Sequence, residues 1–242
     1  MKNSIFKDVC KFDLKILKQY ILGQKKCMGK VTLVPEYCLD SLEIIVDEII
    51  KNEIPGDFVE AGVLAGGVCL YLAALLHNNK LKNKKIWLVD SFIGFPEEKD
   101  LQFGRVLEDD GEVGLHSIVK AESEKLFEYF DLYDENIIKY LPGFFKDTIG
   151  PNAKNCSIEK ISLLRLDGDL YSSTRETLEG LYDKVSIGGF VVVDDMVLLG
   201  CNKATKEFIK KRNITGDFYS PLLTGSLYEM GDTQACYWRK SS

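Results

Sequence analysis

The sequence predicts an α/β fold built on a mostly parallel sheet, and three stretches predict it. The stretch Ile161–Asp195 holds two short apolar runs, Ile161–Leu166 and Gly189–Val193. A segment of helical period, Ser173–Val185, separates them, so the whole reads as strand, helix, strand. The second stretch, Asp57–Gly67, carries an apolar strand into a Gly-rich turn, with a helix over Val68–Leu76 behind it. The third, Lys85–Val89, is another short apolar strand and ends in Asp90-Ser91. Parallel βαβ crossovers are right-handed and join neighbouring or near-neighbouring strands, so the carboxyl ends of such strands share one edge of the sheet. That edge is where open α/β sheets bind ligands.

The chain of 242 residues suits one large α/β domain spanning 1–242. A net charge of −6 and no basic stripe argue against a nucleic-acid partner. Seven cysteines without a CxxC pair or regular spacing read as reduced, cytoplasmic thiols rather than a disulfide frame. No apolar run approaches the length of a membrane span, and the charged N-terminus lacks a signal peptide's apolar core. Two histidines, His77 and His116, leave little room for histidine-based metal ligation or a Ser-His-Asp triad.

In chain order, residues 1–35 suggest an amphipathic helical cap built on Phe12, Leu14, Ile16, Leu17, Tyr20 and Ile21. It can close over its own domain or pack against a second subunit, so a homo-oligomer is open. Asp40 or Ser41 can cap a helix over Leu42–Asn52, whose stripe is Leu42, Ile45, Val46, Ile49 and Ile50. Pro55-Gly56 ends it. Glycines 62, 66 and 67 allow backbone to approach a ligand and aim the next helix at it. Their spacing, G-x-x-x-G-G, is not the dinucleotide fingerprint. Asp90 can accept hydrogen bonds from ribose hydroxyls. Residues 92–116 lack a clean period and read as a lid or a solvated charged loop. A helix over Ser117–Phe130 and a strand over Ile137–Leu141 follow. The loop Pro142–Asp147 lies at the same sheet edge, where an aromatic can line a pocket or simply join the core. After Asp195 come a helix near Lys203–Arg212 and two closing strands, Asp217–Leu223 and Gln234–Arg239, which suit an antiparallel edge.

Both central strands end in acid: Asp167-Gly168-Asp169 after the first and Asp194-Asp195 after the second. Acids can mark strand ends facing solvent. Four of them at neighbouring tips raise each other's pKa, and a hard divalent cation such as Mg²⁺, Ca²⁺ or Mn²⁺ relieves this. Residues i and i+2 of a strand share a face, which would aim Asp167 and Asp169 at one site unless Gly168 turns the chain.

The stretches IPGDFVEAGVLAGGVCLYLAALL, IWLVDSFIGFPE, LPGFFKDTI, LLRLDGDLYSSTRETLEGLYDKVSIGGFVVVDD and YWRK, in this order, strongly resemble the macrocin O-methyltransferase family. The resemblance covers nearly everything from about residue 30 onward. It implies a Rossmann-like methyltransferase fold that binds S-adenosyl-L-methionine, with a seven-stranded sheet, an antiparallel edge and helices on both faces. It also implies a metal-dependent O-methyltransferase acting on a hydroxyl of a sugar or glycosylated small molecule in natural product biosynthesis. By resemblance, Glu60, Ala61 and Gly62 contact the methionine part of the cofactor. Asp90 and Ser91 take its ribose, and Gly143, Phe144 and Asp167 complete the cofactor set. Asp167, Asp194 and Asp195 look like ligands of Mg²⁺ or another divalent ion, and Asp169 like the general base. Tyr171 and Ser172 are candidate acceptor-side groups, and His116 an alternative base. Three departures adjust the pocket walls: Met196 where an aromatic is usual, Phe144 where Trp is common, and a poorly matching stretch around Gln102–His116. A catechol-type enzyme acting on a phenol is the alternative. It normally continues its second acidic cluster into Asn, where this chain has Met196.

Overall fold

The computed structural model describes residues 10–25, 31–96, 118–221, 224–225 and 235–241. Five parallel strands form its centre: β1 (Asp57–Ala61), β2 (Ile86–Asp90), β3 (Ile138–Pro142), β4 (Ile161–Leu166) and β5 (Val185–Val193). They lie in the order β3-β2-β1-β4-β5, so the order reverses between β1 and β4. The antiparallel edge continues outward from β5 through β8 (Cys236–Arg239) to β6 (Phe218–Tyr219). These are the seven strands expected, and a two-residue β7 (Thr224–Gly225) against β6 makes eight.

Strand alternation divides the core in two. Phe58, Leu88, Leu163 and Val192 face one way and pack with α1 (Leu14–Ile21), α2 (Glu36–Lys51), α3 (Gly67–Asn78) and α4 (Lys120–Tyr129). Val59, Val89, Leu164, Leu166, Val191 and Val193 face the other way. They pack with residues of α6 (Tyr171–Leu181) and α7 (Leu199–Lys211), the helices following the short α5 (Phe145–Thr148). Helix α3 is apolar all round because it is enclosed by the sheet and three other helices.

The starts of α2 and of β5 differ from the sequence expectation, and α7 begins at Leu199 rather than near Lys203. Helix α2 starts at Glu36, not Leu42, because Cys38 and Leu39 extend its buried stripe. Ser41, expected as a cap, instead donates its hydroxyl to the Tyr37 carbonyl inside the helix. Asp40 and Glu43 both pair with Lys18 of α1, and Tyr71 of α3 donates to Glu43, which ties α1, α2 and α3 together. Full burial of Leu42, Ile45 and Ile49 adds about 1.5–3 kcal/mol each. The start of β5 is Val185, expected as the end of a helix. It pairs with Ile161, and a register shift then leaves Ile187 69% exposed.

Candidate active site

The strand tips are joined in a row. Beyond the strands, the N–H of Gly62 donates to the Val89 carbonyl (2.9 Å), Asp167 to Ala61 (2.8 Å), Asp194 to Leu166 (2.9 Å) and Gly143 to Asp90 (2.8 Å). Residues 62, 90, 167 and 194 therefore stand side by side at the carboxyl edge, across the point where strand order reverses. A cavity of about 410 Å³ opens there, within the usual size of a small-molecule site. Glu60, Gly62, Asp90, Ser91, Phe144, Asp167, Asp169, Asp194 and Asp195 all line it. Ala61 and Gly143 do not: Ala61 is buried against the opposite core, and Gly143 (φ +136°) makes the turn that presents Phe144. The stretch expected as a lid, from residue 97 onward, and His116 lie outside the described residues.

Gly62 is required twice over. Its φ is +90°, and a Cβ there would stand 1.8 Å from the Asp167 carbonyl oxygen. A Gly62→Ala variant must separate β1 from β4 at the site. It is expected to lose at least about 2–3 kcal/mol of stability, measured as a thermal midpoint lower by several degrees. Asp90 accepts from Val63 N–H through Oδ2 and from Phe92 N–H through Oδ1, each at 2.8 Å. It thus fastens the β1 loop to its own, and each oxygen retains a lone pair toward the cavity. Ser91 donates its hydroxyl to the Gly94 carbonyl (2.6 Å) and so shapes the same loop.

Asp167, Asp194 and Asp195 each offer a carboxylate oxygen within 4.8 Å of the other two. Asp194 and Asp195 are buried. Burial first, then the charges of Asp167, Asp169 and Asp194, pushes the Asp195 carboxyl well above the usual carboxylate range. An all-carboxylate set of this closeness fits a hard divalent cation. Strand β4 ends at Leu166, and the chain turns through Gly168 to Asp169 at φ +59°. Strand alternation therefore does not continue to Asp169. The turn brings it to the cavity instead, where its N–H donates to Asp195 Oδ2 (3.1 Å).

Arg165 is the residue that sequence reasoning missed. It is 1% exposed beneath the site, where Nη1 pairs with Glu60 and stands 2.8 Å from Asp167, while Nη2 stands 2.9 Å from Asp194. The signal was present: a charged residue inside an apolar strand requires buried partners. Ser173, Glu176, Val197 and Leu198 also line the cavity, as does the expected Ser172. Tyr171 turns outward and donates to Glu207.

Burial pushes the Glu60 carboxyl up to about 7, against the opposing pull of Arg165 and of the Cys69 thiol, which donates to it (2.7 Å). A carboxyl with a folded value above its unfolded 4.5 stabilises the fold while protonated and loses that contribution as pH rises to about 7. Glu60→Gln removes this dependence. The variant's stability relative to the parent is expected to rise between pH 5 and 8 in denaturant titrations, by on the order of 3 kcal/mol at most.

A parallel sheet with its cavity at the strand-order switch, a glycine turn after the first strand and an acid closing the second define a Rossmann-like nucleotide-cofactor fold, and the solved structures it resembles are methyltransferases. The O-methyltransferase NovP superposes with a TM-score of 0.73 at 31% identity, covering 93% of this chain and 88% of that one. The calicheamicin methyltransferase CalS11 shares the fold (TM-score 0.65, 19% identity, covering 93% and 90%). The macrocin-O-methyltransferase (TylF) family model matches residues 18–240, and the chain belongs to that family. It is an S-adenosylmethionine-dependent O-methyltransferase. It is 34% identical over 210 residues to the demethyldecarbamoylnovobiocin O-methyltransferase of Streptomyces niveus, covering 84% of this chain and 73% of the relative. It is 30% identical over 219 residues to the mycinamicin III 3''-O-methyltransferase of Micromonospora griseorubida, covering 87% and 79%.

Proposed function

We propose that this chain is a single methyltransferase domain that methylates a hydroxyl of a sugar or glycosylated small molecule, with a divalent cation as cofactor. The convergence of Asp167, Asp194 and Asp195 within 4.8 Å at the cavity wall carries the reading. Glu60, Gly62, Asp90 and Ser91 hold the methyl donor on the β1–β2 side, and Phe144 walls it from the β3 side. S-adenosylmethionine supplies a sulfonium-bound methyl open to in-line attack. A cation such as Mg²⁺, held by the three aspartates, would orient an acceptor hydroxyl and lower its pKa.

The chain's own work is positioning and proton removal. The aspartates and Ser172 bring the hydroxyl oxygen in line with the methyl carbon. Asp169 accepts the hydroxyl proton as the carbon–oxygen bond forms and the carbon–sulfur bond breaks. Met196, 0% exposed in the core, adds no polar group after the Asp194-Asp195 pair, which supports a sugar acceptor over a catechol.

The test is thermal unfolding with S-adenosylhomocysteine and Mg²⁺, followed by methylation assays on glycosides and catechols. At 100 times its Kd, a ligand specific to the native state adds about 2.7 kcal/mol. A stabilising shift from both ligands with methylated glycoside as product is expected. Catechol methylation alone would move the assignment to the phenolic acceptor, and absence of any shift would remove it.

A further inference from the structure

We propose that Arg165 couples the donor side of the cavity to the acidic cluster, so that occupancy of either strengthens binding at the other. This rests on the assignment of Glu60 to the methyl donor and of Asp167, Asp194 and Asp195 to a cation.

Arg165 does not line the cavity and acts only through its partners, so it is a positioning residue. Strand register places them. Glu60 of β1 lies opposite Arg165 of β4, and Arg165 lies opposite Val192 of β5, two residues before Asp194. Residues two apart share a face, so Glu60, Arg165 and Asp194 meet on the same side of three adjacent strands. One guanidinium spans them: Nη1 toward Glu60 and Asp167, Nη2 toward Asp194.

Three acids share this single cation. The guanidinium is planar and permanently charged with its N–H donors in a rigid fork, so a displacement toward one partner changes its geometry to the others. A cation bound at the aspartates withdraws Asp167 and Asp194 from competition for Arg165. The guanidinium then holds Glu60 more firmly in the orientation that faces the donor. Reciprocity requires the donor to raise cation affinity by the same factor.

Calorimetric titrations measure both halves, using S-adenosylhomocysteine with and without Mg²⁺, and Mg²⁺ with and without S-adenosylhomocysteine. The parent protein is expected to show about fivefold or greater mutual enhancement. Arg165→Lys keeps the charge and loses the fork, whereas Glu60→Gln keeps the shape and loses the charge pair. Arg165→Lys is expected to bind each ligand singly with the enhancement reduced below about twofold. Glu60→Gln alters a donor-holding group and weakens donor binding by itself, so it is read only as the ratio of affinities with and without the other ligand, which is also expected to fall below about twofold. Glu60→Gln is close to isosteric and leaves Arg165 two acidic partners, so it carries the test should Arg165→Lys not fold. Enhancement that persists in the variants, or is absent from a parent that binds both ligands, overturns the coupling. A parent that binds neither ligand overturns the site assignment beneath it.

Discussion

Methyl transfer by an Asp169→Asn variant is expected to fall about 10²–10⁴-fold, the usual contribution of a positioned general base. The local structure should survive. Asp169 sits at φ +59°, a conformation that asparagine shares readily with aspartate. Its backbone N–H, which the substitution keeps, donates to Asp195 Oδ2 at 3.1 Å and ties it to the cluster. Affinities for S-adenosylhomocysteine and Mg²⁺ are therefore expected to stay within a few-fold of the parent, so the loss belongs to kcat. Single-turnover methylation with labelled donor measures the rate, and thermal shift measures both affinities. Full turnover in a variant that still binds both ligands would remove Asp169 as the base and turn attention to Glu176, which also lines the cavity.

The parts of this site legible in the sequence are those that a short motif fixes by itself. A glycine turn after a strand, an acid ending the next strand and paired acids after the two central strands each follow from local chain chemistry. The strand tips then align them because parallel ladders keep register. Residues 57–61, 86–90 and 161–166 were legible as strands because they are short, apolar and closed by turn or acidic residues. The parts not legible depend on the third dimension. Ser41 looks like a cap in sequence and becomes an interior helical residue, because its hydroxyl finds the carbonyl four residues back and the apolar stripe continues past it. Val185 fits a helical period and a strand equally well, and pairing with Ile161 decides it. Thr32, Leu33 and Val34 reach the cavity only because the segment before α2 folds over the β1 turn, where Gly67 lies against Val31. No local pattern announces such a contact. Arg165 lies between these cases: its burial could be inferred from the strand, but its three partners come from three different strand tips.

An Asp194→Ala variant is expected to lose Mg²⁺-dependent stabilisation and at least about 10²-fold in turnover, and it should retain S-adenosylhomocysteine binding. Asp194 is 3% exposed, stands 2.9 Å from Arg165 and shares the cluster with the other two aspartates. Its removal takes away one of three oxygen donors from a set that has no histidine or thiol to substitute. On the proposed assignment the donor side rests instead on Asp90, Gly62 and Glu60, whose positions are fixed by the β1–β2 pairing and by the Val63 and Phe92 amides. The cation effect also carries a pH sign. Metal ligation requires ionised carboxylates, and Asp195 holds its proton well above the usual carboxylate range when no cation is bound. Protons and cation therefore compete, and the stabilisation given by a fixed Mg²⁺ concentration is expected to shrink as pH is lowered through a range above that of an ordinary aspartate. Thermal unfolding across that range, with EDTA as the reference, measures it. A Mg²⁺ shift that survives in Asp194→Ala would place the cation elsewhere. A shift independent of pH in the parent would separate cation binding from Asp195.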